Sequence, residues 1–470
     1  MAGGKWTILD TLDPSQRSGF YINFVADAAA GVQAGVQGIV AIPVTAPWGP
    51  EGQLVKITSD LEFAATFSNL EEGSAAALIL QALKGGASTV LAYRMATGAM
   101  KAKATLKEGA EDLVKVDAKY SGAYGNRLTL SINGSLADAS EKEFKIYDGA
   151  KLLEKYAFDG TATGLVATVG NNSKYVVLSK VADGTFSTIA NQPLTGGVSG
   201  LTVTNSEYMD AFAVFEGHAY EFNILTIGSG ESSLQQSAAE FIRRLRGEGH
   251  FVQLVLGHGE ADEFDAAKAA ALNLNHEGIV YHNIGVKLAG SELTPAEFSG
   301  RIAGMIAGAG PDASITYAQV RDIDSLTNML NHNQVREANK AGLVTAFYDG
   351  EIYRIEKGIN TLTSYSESQH EGYSKIKNIS VLDAIGNALT ISANKNYIGK
   401  VLNDVVGRDA LLGAIRAAFD IFEQGRLIQK GSLVGLDPTR PSVGDQVFLD
   451  LRVTPIDAME EIYTTIRVGR

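Results

Sequence analysis

Apolar residues follow different rhythms along the chain. Between residues 201 and 357, short apolar runs alternate with longer stretches whose apolar positions recur every three or four residues. Glu221 to Ile227, His250 to Leu256, Gly278 to His282 and Leu343 to Tyr348 read as buried strands. Helices are predicted between them at Glu231 to Arg246, Glu263 to Asn273 and Pro295 to Ala309. Strands spaced by such helices imply βαβ units and a mostly parallel sheet. Residues 39–100 share this texture. Ile39 to Val44 reads as a strand, Ser59 and Asp60 as N-caps of a helix through Phe63 and Phe67, Ala75 to Lys84 as a second helix, and Ser88 to Met95 as a returning strand.

From about Lys101 to Val198 the pattern changes. Asn133-Gly134, Asp148-Gly149, Asp159-Gly160 and Asp183-Gly184 punctuate short alternating runs such as Arg127 to Asn133, Glu143 to Tyr147 and Lys174 to Lys180. Such dipeptides supply the positive φ that tight hairpins need. A compact all-β insert, sandwich or barrel, is expected.

Toward the C-terminus, Leu411, Leu412, Ile415, Phe419 and Phe422 line one face of a helix over Arg408 to Gln424, with Gly425 as its stop. Gln446 to Val453 alternates like a strand, and so does Glu461 to Val468, where Ile462, Thr464, Ile466 and Val468 share one side and Tyr463 lies on the other. Near the N-terminus, Ser18 to Val25 is a further strand-like run with no hairpin partner beside it; Phe20, Ile22 and Phe24 alternate with Tyr21 and Asn23. Unpaired apolar strands at chain ends are edge liabilities. Either both close onto their own sheet, or they insert into neighbouring subunits by β-augmentation.

The formal charge of −13 argues against wrapping a phosphate backbone. The chain has no cysteine, which excludes disulfides, thiolate nucleophiles and Cys-based metal sites. No apolar stretch is long enough to span a bilayer, and the opening residues lack the apolar core of a secretion signal. P-loop, dinucleotide-loop, serine-elbow and HExxH patterns are all incomplete. The His258, Asp262 and Asp265 group is the remaining candidate for metal or acid–base chemistry, and nothing beside it completes a coordination set. No cofactor, metal or enzymatic activity is expected. Arg408, Arg416, Arg426 and Lys430 form a locally basic stretch on an acidic chain, read either as a solvated helix face or as a contact for an acidic partner.

Several segments resemble the contractile tail sheath proteins of bacteriophages and phage-tail-like particles. They are Ser18-Gly19-Phe20-Tyr21-Ile22-Asn23-Phe24, Gly38 to Pro43 with Trp48-Gly49-Pro50, and Ala118 to Gly122 with Gly125-Asn126. Leu194-Thr195-Gly196-Gly197, Gly358 to Leu362, Tyr397 to Val401, Gly407-Arg408 and Pro455 to Glu460 continue the likeness in family order. Ser18 departs from it, standing where proline is frequent. The resemblance implies an α/β multidomain fold with a central subtilisin-like α/β domain, an all-β insert and an α+β handshake domain at the C-terminus. It implies an arm at residues 1–38, an α/β segment at 39–100, the insert at 101–200, the sheath domain at 201–357, the handshake domain at 358–455 and an arm strand at 456–470.

On that resemblance the chain is expected to form a helical homo-oligomer around a tail tube protein, with baseplate and tail terminator proteins as further partners. Its place would be a virion tail or tail-like particle, assembled in the bacterial cytoplasm, with no nucleic acid bound and no membrane inserted. Phe20, Tyr21, Ile22, Asn23 and Phe24, and Ile462, Tyr463, Thr464, Ile466 and Val468, would be the exchanged arms. Arg408, Arg416, Arg426 and Lys430 would meet the tube. A surface-layer or capsid-like lattice protein, or a hydrolase on a subtilisin-like scaffold, are the alternatives.

Overall fold

The computed structural model describes residues 37–468, apart from Glu71, Ala137, Asn171 and Ser368. In chain order, β1 (Ile39–Val44), β2 (Leu54–Ile57), α1 (Asp60–Phe67), α2 (Gln81–Gly85, entered through a π turn at Ala76–Leu80) and β3 (Thr89–Arg94) come first. The insert holds β4 (Lys103–Glu108), β5 (Glu111–Ala118), β6 (Leu128–Gly134), β7 (Lys142–Asp148), β8 (Lys151–Phe158), α3 (Ala162–Val169), β9 (Val176–Lys180) and β10 (Ile189–Pro193). Then follow α4 (Asn205–Gly217), β11 (Ile224–Thr226), α5 (Ser232–Gly247), β12 (Gln253–Gly257), α6 (Phe264–Leu274) and β13 (Ile279–His282). The next elements are β14 (Val286–Leu288), β15 (Ser291–Leu293), α7 (Pro295–Ala309), β16 (Ser325–Leu326), α8 (His332–Lys340), β17 (Leu343–Val344), β18 (Ala346–Tyr348) and β19 (Tyr353–Ile355). The chain closes with α9 (Ile376–Ser392), α10 (Val405–Gln424), β20 (Leu433–Leu436) and β21 (Leu449–Arg452).

One seven-stranded sheet runs β17-β13-β12-β11-β1-β3-β2, parallel except for the antiparallel edge β2. It joins segments on both sides of the insert, because β1 pairs with β3 and with β11. Alternate residues point to opposite faces, and both faces are covered, as parallel sheets require. Val40, Ile42 and Val90 pack with Leu78, Ala82, Phe298 and Ile302 from the side of α2 and α7. Ala41, Leu91 and Leu254 pack with Phe215, Phe241, Ile242 and Ala271 from α4, α5 and α6.

The insert contains a three-stranded sheet, β4-β5-β9, and a four-stranded one, β10-β6-β7-β8. It is not all-β as expected, because α3 completes its core. Thr161 caps that helix by accepting from Gly164 N, while Ala162, Leu165 and Val169 are buried at helical spacing. Trp48, from the loop after β1, reaches into this core and meets Tyr120 and Tyr124 edge-on at 5.3 and 5.2 Å. Arg94, at the end of β3, is buried beneath the same loop and donates to the carbonyls of Ala46, Gly49 and Ser199. The insert's entry and exit strands are laced together, with Met100 and Val198 exchanging hydrogen bonds of 2.9 and 3.0 Å.

The chain divides into two compact units. The larger runs to Asn387 and includes Gly425–Gln429 and the chain from Thr454 on; the smaller comprises Ala388–Gln424 and Lys430–Val453. In the smaller unit, α10 lies against β20 and buries Leu412, Ile415, Ala418, Phe419 and Phe422. Its β20 and β21 form a two-stranded antiparallel ribbon.

Candidate assembly surfaces

The C-terminal arm begins from a firmly held root. Pro455 bridges Ile428, and Ile456 N donates to Leu427 O at 2.9 Å. Lys377, largely buried, donates to the Ile456 carbonyl, and burial lowers its pKa. Glu460 is only 8% exposed and is ion-paired with Lys375, 18% exposed, while Thr316 Oγ1 donates to it at 2.7 Å. Glu461 accepts from Lys357 at 2.8 Å and from the Tyr463 hydroxyl at 2.5 Å. Those two hydrogen bonds hold its carboxyl down at about 2.

Beyond this root the chain makes no strand through Val468. Ile462, Tyr463, Ile466 and Val468 are 80, 89, 82 and 89% exposed. The strand expected at Glu461 to Val468 is not formed among the described residues. An alternating segment becomes a strand only against an edge, and among the described residues this one is paired with none. The N-terminal segment Phe20 to Phe24 lies outside the described residues.

The smaller unit supplies edges of the complementary kind. With only β20 and β21 in its sheet, each strand keeps one side without a ladder among the described residues. A groove of about 520 Å³ lies nearby, lined by Tyr397, Ile398, Val401, Leu402, Leu411 and Val447 among others. Leu402 and Val406 remain 78 and 76% exposed. In the sequence these residues were visible only as a family motif and as the approach to a helix; the apolar run around Gly399 was the signal.

The four basic residues differ in their local surroundings. Arg408 turns back to donate to the side chain and carbonyl of Asn403, at 2.9 and 3.2 Å. Arg416 donates to Val434 O at 3.1 Å. Arg426 and Lys430 lie beyond the end of α10, both exposed, with Arg426 at φ 59°. His258 is held by the Tyr281 hydroxyl at 2.9 Å and by Glu263 at 3.2 Å. Asp265 pairs with Lys268, and no group of three or more His, Asp or Glu side chains able to hold a metal occurs among the described residues. Nor, among them, is any helix long and apolar enough to cross a membrane.

A mixed multi-sheet α/β body with an exposed apolar C-terminal segment and open strand edges is the build of an assembly subunit. Comparison with known proteins gives the class a family. The phage tail sheath protein central domain matches residues 202–361, the C-terminal domain 368–469, the beta-sandwich domain 96–199, and the tail sheath protein Gp18 domain III N-terminal region 37–95. The chain belongs to the phage tail sheath family, and is a structural component of a phage tail or tail-like particle. It is 29% identical to the phage-like element PBSX protein XkdK of Bacillus subtilis, over the full length of both chains. The crystal structure of the sheath tail protein of Desulfitobacterium hafniense is similar with a TM-score of 0.75 and 28% identity, covering 96% of this chain and 100% of that one. The sheath tail protein of Listeria innocua follows with 0.71 and 25%, covering 91% and 97%.

Proposed function

We propose that this subunit polymerises helically around a tail tube by exchanging its terminal arms, and that contraction of the resulting sheath drives the tube through a target envelope. The observation that carries this reading is the C-terminal arm, rooted at Glu460 yet exposed and without a strand partner from Ile462 to Val468 among the described residues. The smaller unit serves as the handshake domain, and the open sides of β20 and β21 receive arms of neighbours, Ile462 to Val468 and Phe20 to Phe24. The seven-stranded unit is the subtilisin-like domain, used as a scaffold and not as an enzyme. The domain limits given by the family resemblance apply in this reading, with residues 456–461 serving as the arm's root.

An added strand of about seven residues makes ~6 backbone hydrogen bonds worth ~1 kcal/mol each, plus side-chain pairs of ~0.2–1 kcal/mol. Such joints hold while near-rigid bodies re-pack around them. Energy for contraction is stored in packing. Burial of even ~300 Å² more apolar surface per subunit supplies about 7 kcal/mol at ~25 cal/mol per Å². The tail tube, baseplate and tail terminator are the partners, with assembly in the bacterial cytoplasm. Electron microscopy of the purified chain, alone and with its tube protein, tests the reading. Hollow tubes are expected; flat sheets or closed shells overturn it.

A further inference from the structure

The insert carries a polar trough that the assembly reading does not use. It has a volume of about 330 Å³ and is lined by Ser131 and Asn133 of β6, by Tyr147 and the β7–β8 turn at Gly149, and by Ala190 and Asn191 of β10. We propose that this trough binds a neutral saccharide.

The floor decides which kind of ligand can be held. β6 sits between β10 and β7 and is paired with both, so its backbone has no edge to offer a peptide strand. On this floor recognition falls to side chains, while β10, at the sheet's edge, forms only one wall. The Tyr147 hydroxyl and the Asn191 amide make no hydrogen bond to another described residue. Asn133 uses its amide only toward Ser131 Oγ, at 3.4 Å. An aromatic body beside unspent amide and hydroxyl groups suits a pyranose, which presents a C–H face ringed by hydroxyls.

Charge excludes the ionic alternatives. The lining contains no Asp, Glu, Lys, Arg or His. Of the neighbours, Lys145 is tied to Glu143 at 2.8 Å, and Asp148 to Arg127 at 2.8 Å. A phosphate or uronate would therefore find no free cation in the lining. The backbone is also shaped at this point. β10 slips register between Ile189 and Gln192, and Asn191 within that bulge has φ 49°, which a residue with a Cβ adopts at a cost. The bulge places the amide at the trough instead of along the strand.

Saturation-transfer NMR on the full-length chain tests this with glucose, galactose and N-acetylglucosamine; glucuronic acid and adenosine serve as contrasts. Transfer to at least one neutral sugar is expected. Tyr147→Ala should weaken it about tenfold, and Tyr147→Phe, which keeps the ring, by about threefold or less. Asn191→Gly relieves the backbone and should keep the fold while weakening binding about threefold. Thermal melts establish that the variants are folded, and if Tyr147→Ala is not, Asn191→Gly decides. The proposal is overturned by absence of transfer from all neutral sugars, by transfer unchanged in the folded variants, or by transfer to adenosine or glucuronic acid alone. None of these outcomes depends on arm exchange.

Discussion

Gly304 on α7 faces Ala82 on α2 with no room between the backbones: a Cβ there would stand 2.1 Å from the Ala82 carbonyl oxygen. Gly300 and Gly308 meet Leu78 and Gly86 in the same way, so the four-residue glycine repeat is a helix-packing seam. Gly304→Ala gains about 1 kcal/mol of helix propensity, but the atoms it strikes are backbone and cannot turn aside. A net loss of about 1–3 kcal/mol is expected from chemical denaturation. Gly413→Ala on α10 is the control, since nothing lies within 4 Å of its would-be Cβ. That variant should be stabilised by up to about 1 kcal/mol.

Deleting residues 462–470 should leave the thermal melt nearly unchanged and abolish tubes, because the described residues past Glu461 are exposed. Tubes formed by the truncated chain would show that the arm is not the joint. Glu460→Ala acts differently. It leaves Lys375 half-buried without its carboxylate and should cost about 3 kcal/mol in the monomer, read by urea titration. Ile462→Asp with Ile466→Asp should reproduce the deletion, while Tyr463→Asp on the other side should matter less.

Acid should weaken the body through His282. It is fully buried, its Nδ1 accepts from Ile284 N at 3.3 Å, and its Nε2 has no partner. Burial pushes its pKa down to about 3 from an ordinary 6.5. The unfolded chain takes up a proton below about 6.5 and the folded one resists until about 3, so stability is unaffected above that window and falls as pH drops through it. One such group contributes a slope of about 1.4 kcal/mol per pH unit. Denaturant titrations at pH 7 and pH 5 should give a smaller difference in folded His282→Gln than in the wild type; an equal difference assigns the acid sensitivity elsewhere.

For the tube, Arg416→Glu together with Arg426→Glu should reduce co-sedimentation of sheath with tube, and more so at low salt, where surface charges are least screened. An unchanged yield of sheathed tubes would remove the α10 region from the inner wall. Lys430→Glu should add to the effect. Arg408→Ala should act instead through the Asn403 loop that it braces, lowering the melting temperature before it changes binding.

The strands at Ile39–Val44 and Gln253–Gly257 and the helices at Ser232–Gly247 and Pro295–Ala309 were legible because continuous apolar runs and helical periodicity are local properties. Their order in the sheet was not, since β1 finds β11 across the whole insert. Asp148-Gly149 makes the tight turn its dipeptide suggests, with Gly149 at φ 57°. Asn133-Gly134 does not: Gly134 stays paired with Lys142, and the turn falls farther on. Helix α3 is not legible in the sequence, because a short apolar stretch in a β-rich region reads equally as strand. For the C-terminal arm the alternation was visible but its pairing was not, since among the described residues it has none.

Because Met100 and Val198 lie side by side, the insert enters and leaves through one narrow doorway. A segment built this way can be lengthened, shortened or exchanged during evolution without moving the sheet that carries it. Trp48 sets the condition on such exchange. It belongs in sequence to the sheet but in space to the insert's core, so a replacement domain must either rebuild its aromatic socket or arrive with a smaller residue at that position. The insert and the sheet that carries it are thus coupled through one indole ring.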